Sequence, residues 1–205
     1  MARQTSLGIG LAFVVGVLVF FTVFEAVKIF GHPHAEPLIP IEKRQPSSFQ
    51  ARYLPPAGAA GTTSQTATAA GTPERVFNLR DQQGKVVVVN IFATWCAPCR
   101  AELPDLKSLA REYAPRGVVF VAMSLDQEGE HPGKSRDEVL QEFVKQEDPP
   151  FPVLAPSSDS ILWKTANVPI PQTFLYDKHG RNARVIVGGI EKADLRESIE
   201  ELLKE

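Results

Sequence analysis

The feature that most constrains the fold is an apolar strand that leads directly into a cysteine pair and a helix. Residues 85–93 read KVVVVNIFA, a β-branched run typical of a strand buried on both faces. After Cys96, leucines and a tyrosine recur at intervals of three and four, which predicts an amphipathic helix that Gly117 ends. Residues 118–123 form a second apolar run. Strand, helix and strand in this order predict a βαβ unit with parallel strands and a right-handed crossover.

The rest of the region after Glu74 supplies further elements around this unit. A polar loop at 126–136 is interpreted as a surface insertion, and 177–180 as a tight turn. The remaining pattern predicts helices at 137–146 and 191–204, helical turns at 160–167, and strands at 75–79, 172–176 and 184–187, while 151–155 is a short apolar stretch. The sequence therefore predicts an α/β domain over residues 74–205.

The amino-terminal region contains a long uncharged segment. Residues 7–24 carry no charge and 29–30 extend the apolar character, which reaches the length of a membrane-spanning helix. A cleaved signal peptide is the alternative, but its apolar core normally has about 7–15 residues. We therefore predict a cytoplasmic amino terminus at 1–6 and an uncleaved transmembrane anchor at 7–30. The flanking positive charges alone do not decide the orientation of this anchor.

Residues 31–73 separate the predicted anchor from the domain. They are rich in proline, alanine, glycine and threonine, and they offer no apolar period that a core could bury. We predict a flexible linker, with weak order near Phe49 and Tyr53. His32 and His34 lack the further ligands that a metal site needs, so we interpret them as part of a solvated turn.

The composition excludes several classes of protein. Hydrophobic residues make up 43% of the chain and charged residues 22%, which is the balance of a globular protein rather than a disordered one. The net charge of −2 implies no basic face and argues against nucleic-acid binding. The chain has only two cysteines, too few for a disulfide framework, so Cys96 and Cys99 must act as a local pair.

The position of this pair predicts thiol chemistry. Cys96 starts the predicted helix, where free N–H groups and the helix dipole stabilise a thiolate and should lower its pKa below about 8.5. Cys99 should lie deeper, so Cys96 can attack a disulfide from an exposed position and Cys99 can resolve the mixed disulfide. Two alternatives remain. The pair could be half of a zinc site completed by His131 and His179, or a structural disulfide that closes a very short loop.

The cysteine pair lies in a sequence that resembles a known family. ATWCAPC at 93–99 resembles the active-site run of the thioredoxin superfamily, and VNIFATWCAPCRAELP at 89–104 is similar to the membrane-anchored TlpA/ResA-type oxidoreductases and their DsbE/CcmG relatives. The resemblance covers 74–205 together with the anchor-and-linker layout. It implies a thioredoxin-like fold, with a central mixed sheet flanked by helices, behind an N-terminal transmembrane helix. It also implies a protein thiol–disulfide oxidoreductase with a redox disulfide between Cys96 and Cys99.

Further site residues follow from the same resemblance. IPQTFLYDKHG at 170–180 resembles the segment in which the family places a cis proline opposite the cysteines, and its register selects Pro171 rather than Pro169. That catalytic proline would turn the backbone of Ile170 toward the pair, where a substrate strand could bind. Trp95 would pack beside the cysteines, partly shield them and contact substrate. The alternative for Trp95 is a core residue at the end of the strand.

Glu102 matches an acidic residue that the ResA-like group carries just after its cysteines. Cys99 and Glu102 are three positions apart and share a helix face, so the carboxylate could raise the pKa of Cys99 and accept its proton through water. The alternative is a solvated glutamate that only complements the helix dipole. Asn90 stands where thioredoxin itself has a buried aspartate. An amide cannot shuttle a proton, which moves the role of base toward Glu102.

The residues between the cysteines bear on the direction of electron flow. Ala97 and Pro98 supply no donor for the thiolate, which predicts a reducing pair with a potential of about −200 to −270 mV. The resemblance implies clients among exported proteins, such as apocytochrome c in cytochrome c biogenesis or copper-site cysteines. It also implies a DsbD-type membrane reductase as electron donor, and neither cofactor nor metal.

The redox chemistry also decides where we expect the domain to lie. It should be on the periplasmic or extracytoplasmic side of a bacterial cytoplasmic membrane, attached by a single pass. The alternative functions are a disulfide oxidant and a Cu(I) metallochaperone of thioredoxin fold.

Overall fold

A mixed β-sheet forms the centre of the structure. The computed structural model of the chain describes residues 37–54, 75–156 and 169–205, which contain seven strands and three α-helices. The strands are β1 (Gln50–Tyr53), β2 (Val76–Asn78), β3 (Val87–Phe92), β4 (Val119–Ser124), β5 (Val153–Pro156), β6 (Gln172–Tyr176) and β7 (Asn182–Val187). The helices are α1 (Ala97–Tyr113), α2 (Arg136–Glu147) and α3 (Lys192–Lys204).

The predicted βαβ unit is confirmed in the middle of this sheet. The strand order is β2-β1-β5-β4-β3-β6-β7, and β4 is parallel to both β3 and β5. The pairs β3–β6 and β6–β7 are antiparallel. The carboxyl ends of β3, β4 and β7 therefore meet the amino end of β6 at one edge of the sheet. Each strand predicted from the sequence, and each of α2 and α3, lies within two residues of its predicted bounds, while β1 and β5 were not predicted as strands.

Strand β3 is buried on both faces, as its β-branched sequence predicts. All six of its residues are buried, and successive side chains enter different clusters because they point to opposite faces of the sheet. Val88 and Phe92 pack in a core cluster with residues of α1 and α3, such as Leu106 and Leu195. Val89 packs on the other face, in a cluster that includes two phenylalanines near β1 and β2. The strand is therefore held on both faces, and α1 packs against one of them.

Residues 37–54 correct the predicted linker at 31–73. They form a 3-10 helix at Ile41–Lys43 and strand β1, which lies between β2 and β5 as an integral strand. Phe49 is 4% exposed and Ala51 is fully buried, so the order near Phe49 is much stronger than expected. The prediction failed here because the strand is only four residues long, and one of its two inward positions is an alanine that carries little hydrophobic signal.

A buried ion cluster ties residues 37–54 to the end of the sheet opposite the cysteines. Arg44 donates to Asp177 Oδ2 at 3.2 Å and to Glu205 Oε1 at 2.8 Å. Asp177 also accepts hydrogen bonds from the backbone of His179 and from Arg181. Burial alone would raise the pKa of Asp177, but the hydrogen bonds from Arg181, Arg44 and His179 outweigh it and lower that pKa.

The ends of α1 follow the predicted signals, and some predicted elements fall outside the described residues. Helix α1 passes into a 3-10 turn at Ala114–Arg116, and Gly117 ends it with a φ of +80°. No helix in the described ranges is long and apolar enough to cross a membrane. The predicted anchor at 7–30, linker residues 55–73 and the helical turns at 160–167 lie outside those ranges.

Candidate active site

The cysteine pair lies at the junction between the end of β3 and the start of α1, as predicted. Strand β3 ends at Phe92, and Cys96 is the N-cap residue of α1. Cys96 and Cys99 form a disulfide with a Cα–Cα distance of 5.3 Å. The backbone N–H of Cys99 points at Cys96 Sγ, with a nitrogen–sulfur distance of 3.3 Å. The free amide of the first helical turn is therefore aimed at the sulfur that is expected to carry the negative charge.

The expected difference in exposure between the two cysteines is absent from the disulfide form. Cys96 and Cys99 are each 4% exposed, so the sequence was wrong to place Cys96 at an exposed position. Both belong to the core cluster that contains Phe92. Ala97 and Pro98, which lie between them, are exposed. The pair therefore lies directly beneath the surface.

Trp95 stands out from this surface. It is 58% exposed, so the alternative of a core residue is wrong. Its indole Nε1–H donates to Glu130 Oε2 at 3.2 Å. An exposed aromatic ring next to the attacking cysteine is a contact that a client polypeptide can cover.

The proline predicted to be cis is confirmed at the same edge of the sheet. The Ile170–Pro171 bond is cis, and Pro171 is buried. Gln172, the next residue, pairs with Ile91 of β3, which places Pro171 at the edge where β3 ends. Ile170 is half-buried and packs against the cluster that contains both cysteines. The Pro171 carbonyl accepts a hydrogen bond from Gly188 at 2.9 Å, which connects this segment to the end of β7.

Glu102 is buried one turn behind Cys99. It is 5% exposed, so the alternative of a solvated glutamate is wrong. Its Oε1 accepts from the Asn90 side-chain amide at 2.7 Å, and its Oε2 accepts from the Ile190 backbone amide at 2.9 Å. Burial raises the pKa of Glu102, and the hydrogen bonds from Ile190 and Asn90 offset only part of that rise. The raised pKa makes this carboxylate a better proton acceptor than an exposed one.

The partnership between Asn90 and Glu102 was not predicted from the sequence. Asn90 is buried on β3, and its amide also donates to Thr173 Oγ1 at 3.1 Å across the β3–β6 pair. These bonds connect α1, β3 and β6 behind the cysteines. A single polar residue within the run VVVVNIF was the available signal, because a buried amide needs partners.

A second unpredicted contact fixes the turn before Cys96. Asp126 follows β4 and is fully buried. Its carboxylate accepts hydrogen bonds from the Thr94 amide at 3.0 Å, the Thr94 hydroxyl at 2.5 Å and the Ser124 hydroxyl at 2.7 Å. With the Trp95–Glu130 contact, these bonds show that the loop at 126–136 braces the cysteine turn and is not merely a surface insertion.

Three side chains in this loop are close enough to consider as metal ligands. Asp126, Glu130 and His131 each place one potential ligand atom within 4.8 Å of the others. Both carboxylates are already held by hydrogen bonds, Asp126 by Thr94 and Ser124 and Glu130 by Trp95 and Gln127. We therefore interpret the cluster as a hydrogen-bonded corner rather than a metal site. It does not include His179, which sequence reasoning paired with His131.

Comparison with known proteins agrees with this geometry. The model of the AhpC/TSA family matches residues 61–183. Thiol-disulfide oxidoreductase ResA of Bacillus thuringiensis is 33% identical over 62% of this chain and 67% of its own. ResA of Geobacillus thermodenitrificans is 30% identical over 70% of this chain and 78% of its own.

Solved structures extend the comparison to the fold. A thiol:disulfide interchange protein of the thioredoxin family from Chlorobium tepidum matches with a TM-score of 0.57 and 25% identity. The match covers 78% of this chain and 97% of that one. The mixed sheet with its flanking helices is therefore a thioredoxin-like fold, as the sequence predicts.

Proposed function

The chain belongs to the AhpC/TSA family and is a thiol–disulfide oxidoreductase of the ResA type, and from that premise we propose that it reduces disulfides in exported proteins while anchored to a bacterial cytoplasmic membrane. The observation that carries the proposal is the Cys96–Cys99 disulfide at the N-terminus of α1, with Glu102 buried one turn behind it. Together they provide a nucleophile, a resolving thiol and a proton acceptor.

The reaction begins from the reduced pair. The Cys96 thiolate attacks one sulfur of a client disulfide, forms a mixed disulfide and releases the other client sulfur, which takes up a proton. The N–H of Cys99, which points at Cys96 Sγ, favours the anionic form of that sulfur. Trp95 and Ile170 flank the pair and supply apolar contacts for the client chain.

The second step resolves the mixed disulfide. Cys99 loses its proton to Glu102, through water, and its sulfur attacks Cys96 Sγ. The Cys96–Cys99 disulfide forms, and the client leaves with its second thiol after protonation. Two electrons have then passed from the protein to the client. Asn90 and the Ile190 amide hold the Glu102 carboxylate in place between turnovers.

The setting of this reaction is proposed from the sequence. The uncharged segment at 7–24 has the length of a membrane anchor, and thiol exchange on exported clients requires the domain outside the cytoplasm. We propose apocytochrome c thiols or copper-site cysteines as clients. Because each turnover oxidises the pair, a DsbD-type membrane reductase is proposed to return electrons to it.

The reductase mechanism can be tested by trapping. In the purified full chain, Cys99→Ser should accumulate mixed disulfides through Cys96, whereas the matched Cys96→Ser variant should accumulate none and should fail to reduce insulin. Both can be read from non-reducing gels and from insulin turbidity. The reductase claim would be removed if the wild-type chain failed to reduce insulin and Cys99→Ser trapped no partner. Tight Cu(I) binding by such an inactive chain would favour the metallochaperone instead.

The direction of electron flow needs a separate measurement. Titration of the Cys96–Cys99 pair against glutathione should give a potential of about −200 to −270 mV. A potential near about −120 mV would identify an oxidant, which is the alternative for the same site.

A further inference from the structure

Asp126 is a buried carboxylate beside the cysteine turn, and the reaction described above gives it no role. It is fully buried, and its two oxygens accept hydrogen bonds from the amide and hydroxyl of Thr94 and from the hydroxyl of Ser124. An ionised carboxylate accepts at both oxygens and donates from neither, which is the pattern at Asp126. All three groups can donate to the carboxylate at once, so the corner is built to hold it as an anion.

Asp126 is connected to the turn before Cys96 through Thr94 and through the pairing of β3 with β4. Thr94 precedes Cys96 by two residues, and the Cys96 amide donates back to the Ala93 carbonyl at 3.1 Å. Phe92 and Ser124 are register partners on the parallel strands β3 and β4, so the segments that follow them leave the same edge of the sheet. Asp126 and Cys96 therefore sit in adjacent loops that share three hydrogen bonds through Thr94.

The charged groups around this corner leave the negative charge without a strong cation. His131 Nε2 lies 3.5 Å from Asp126 Oδ1 and is the basic partner of Asp126. Among the described residues, no lysine or arginine forms an ion pair with it. Glu130 adds a second carboxylate on the same loop. Arg100, in the first turn of α1, pairs with a glutamate of α2 instead.

We propose that Asp126 is a positioning residue that holds the turn before Cys96 and whose negative charge disfavours the Cys96 thiolate, which makes the reduced pair a stronger reductant. The inference rests on the proposed function, because it assigns the reducing character of that same pair to a named group. Buried charges are screened little by salt, so the effect persists at physiological ionic strength.

The sign follows from the redox equilibrium with glutathione. The two protein thiols pass two electrons and two protons to oxidised glutathione, which becomes two glutathione thiols as the Cys96–Cys99 bond forms. A stabilised thiolate favours the reduced protein and makes the pair a better oxidant. A nearby negative charge acts in the opposite sense, so the equilibrium shifts toward the protein disulfide and the reduced pair gives up its electrons more readily.

The test is Asp126→Asn in the full chain, because an amide oxygen in place of Oδ2 can still accept from the Thr94 amide and the Ser124 hydroxyl, while the amide NH2 donates to the Thr94 hydroxyl. At pH 8.5 we expect the equilibrium constant for oxidation by glutathione to fall about tenfold, equivalent to about 30 mV. At pH 5.5 we expect the Cys96 thiol to be protonated in both proteins, so variant and wild type should converge. Asp105→Asn removes the same charge from an exposed position on α1 and should shift neither value.

Three results would overturn the proposal. The first two are an unchanged equilibrium constant for oxidation by glutathione at pH 8.5 and a rise in that constant. The third is a shift of equal size at both pH values, which would indicate altered packing of the turn rather than an effect of charge. If Asp126→Asn does not fold, His131→Lys places a permanent cation beside the intact carboxylate and should lower the constant at pH 8.5. No shift in that variant would equally overturn the proposal. Because each variant is compared with the wild type, the outcome is independent of whether the wild-type potential supports a reductase.

Discussion

A carboxylate is buried at each end of the sheet, and its pKa is shifted in opposite directions at the two ends. At the cysteine end, Glu102 is held by two neutral donors, an amide side chain and a backbone N–H, and burial raises its pKa. At the other end, Asp177 is held by Arg44 and Arg181, and hydrogen bonds lower its pKa despite burial.

The contrast shows that burial alone does not make a carboxylate a proton acceptor. The full set of donors decides the outcome, because Asp177 accepts from two backbone N–H groups and two guanidinium groups, whereas Glu102 accepts from one backbone N–H and one side-chain amide. The lowered pKa of Asp177 favours its ionised form, and this end of the sheet serves stability. The amide end leaves the proton exchangeable, which a thiol reaction needs. The predictions below test that division.

The largest effect is expected when the guanidinium end loses its cation. Arg44→Met leaves the buried Asp177 carboxylate with Arg181 as its remaining cation and should lower the free energy of unfolding by about 3 kcal/mol, measured by urea denaturation. The potential of the cysteine pair should stay at the wild-type value, because this cluster is at the opposite end of the sheet. A loss below about 1 kcal/mol would mean that the cluster behaves like a surface ion pair.

At the cysteine end, Glu102→Gln should reduce the rate at which Cys99 resolves the mixed disulfide by about a hundredfold, because the proton acceptor is lost. It should also lower the free energy of unfolding by about 1–3 kcal/mol, since one side-chain N–H would face either Asn90 or the Ile190 amide, donor against donor. Stopped-flow thiol kinetics and urea denaturation measure the two effects.

The double variant Asn90→Asp with Glu102→Gln separates those two contributions. It exchanges carboxylate and amide, so each hydrogen bond again has a donor and an acceptor, and the stability should return. A rate loss that persists shows that the proton acceptor must lie on α1, whereas a restored rate shows that a carboxylate on β3 can replace it. An unchanged rate in the single Glu102→Gln variant would contradict the role of Glu102 as base.

The pH dependence of stability should have opposite signs at the two ends. Asp177, with its lowered pKa, contributes stability above its unfolded value near 3.8, and that stability is lost as the pH falls through the folded pKa. Glu102, with its raised pKa, favours folding below its unfolded value near 4.5, and this contribution is lost as the pH rises through the folded pKa.

The free energy of unfolding, measured by urea denaturation at a series of pH values from about 2 to about 8, can separate the two contributions. Asp177→Asn should reduce the loss of unfolding free energy at acid pH. Glu102→Gln should reduce the decline in unfolding free energy above pH 4.5. Similar profiles for the two variants would remove the contrast between the ends of the sheet.

The smallest effect is expected at an exposed ion pair with the same chemical groups. Arg196 pairs with Glu112 at 2.6 Å, with both side chains 42% exposed. Arg196→Gln should leave the midpoint of urea unfolding unchanged, because solvent screens exposed pairs. This variant is the control for Arg44→Met, and a comparable loss in both would show that burial is not what distinguishes the Asp177 cluster.

The sequence predicts most of the fold and the reactive pair because those features are local. The strand–cysteine–helix order fixes the position of Cys96, and hydrophobic period alone locates β3, β4 and α1. The cis bond at Pro171 was predicted from the family resemblance rather than from a physical pattern.

Contacts between distant residues were not predictable in the same way. Asn90 and Glu102 are twelve positions apart, and their hydrogen bond depends on how α1 packs over β3. Asp126 reaches Thr94 from 32 positions away, across the ends of two parallel strands. In both cases the sequence shows a polar residue where burial is expected, but only the packing shows which partner satisfies it.

Strand β1 has a practical consequence for anyone who prepares a shortened form of this protein. Because β2 joins the sheet only through β1, a fragment that starts at residue 74 would leave β2 without a neighbour and expose the backbone of β5 as a new edge. Bare edges invite pairing between molecules, so such a fragment should aggregate during expression. A truncation that keeps Leu38, which packs against the core, retains all seven strands and is the better starting point for crystals or assays.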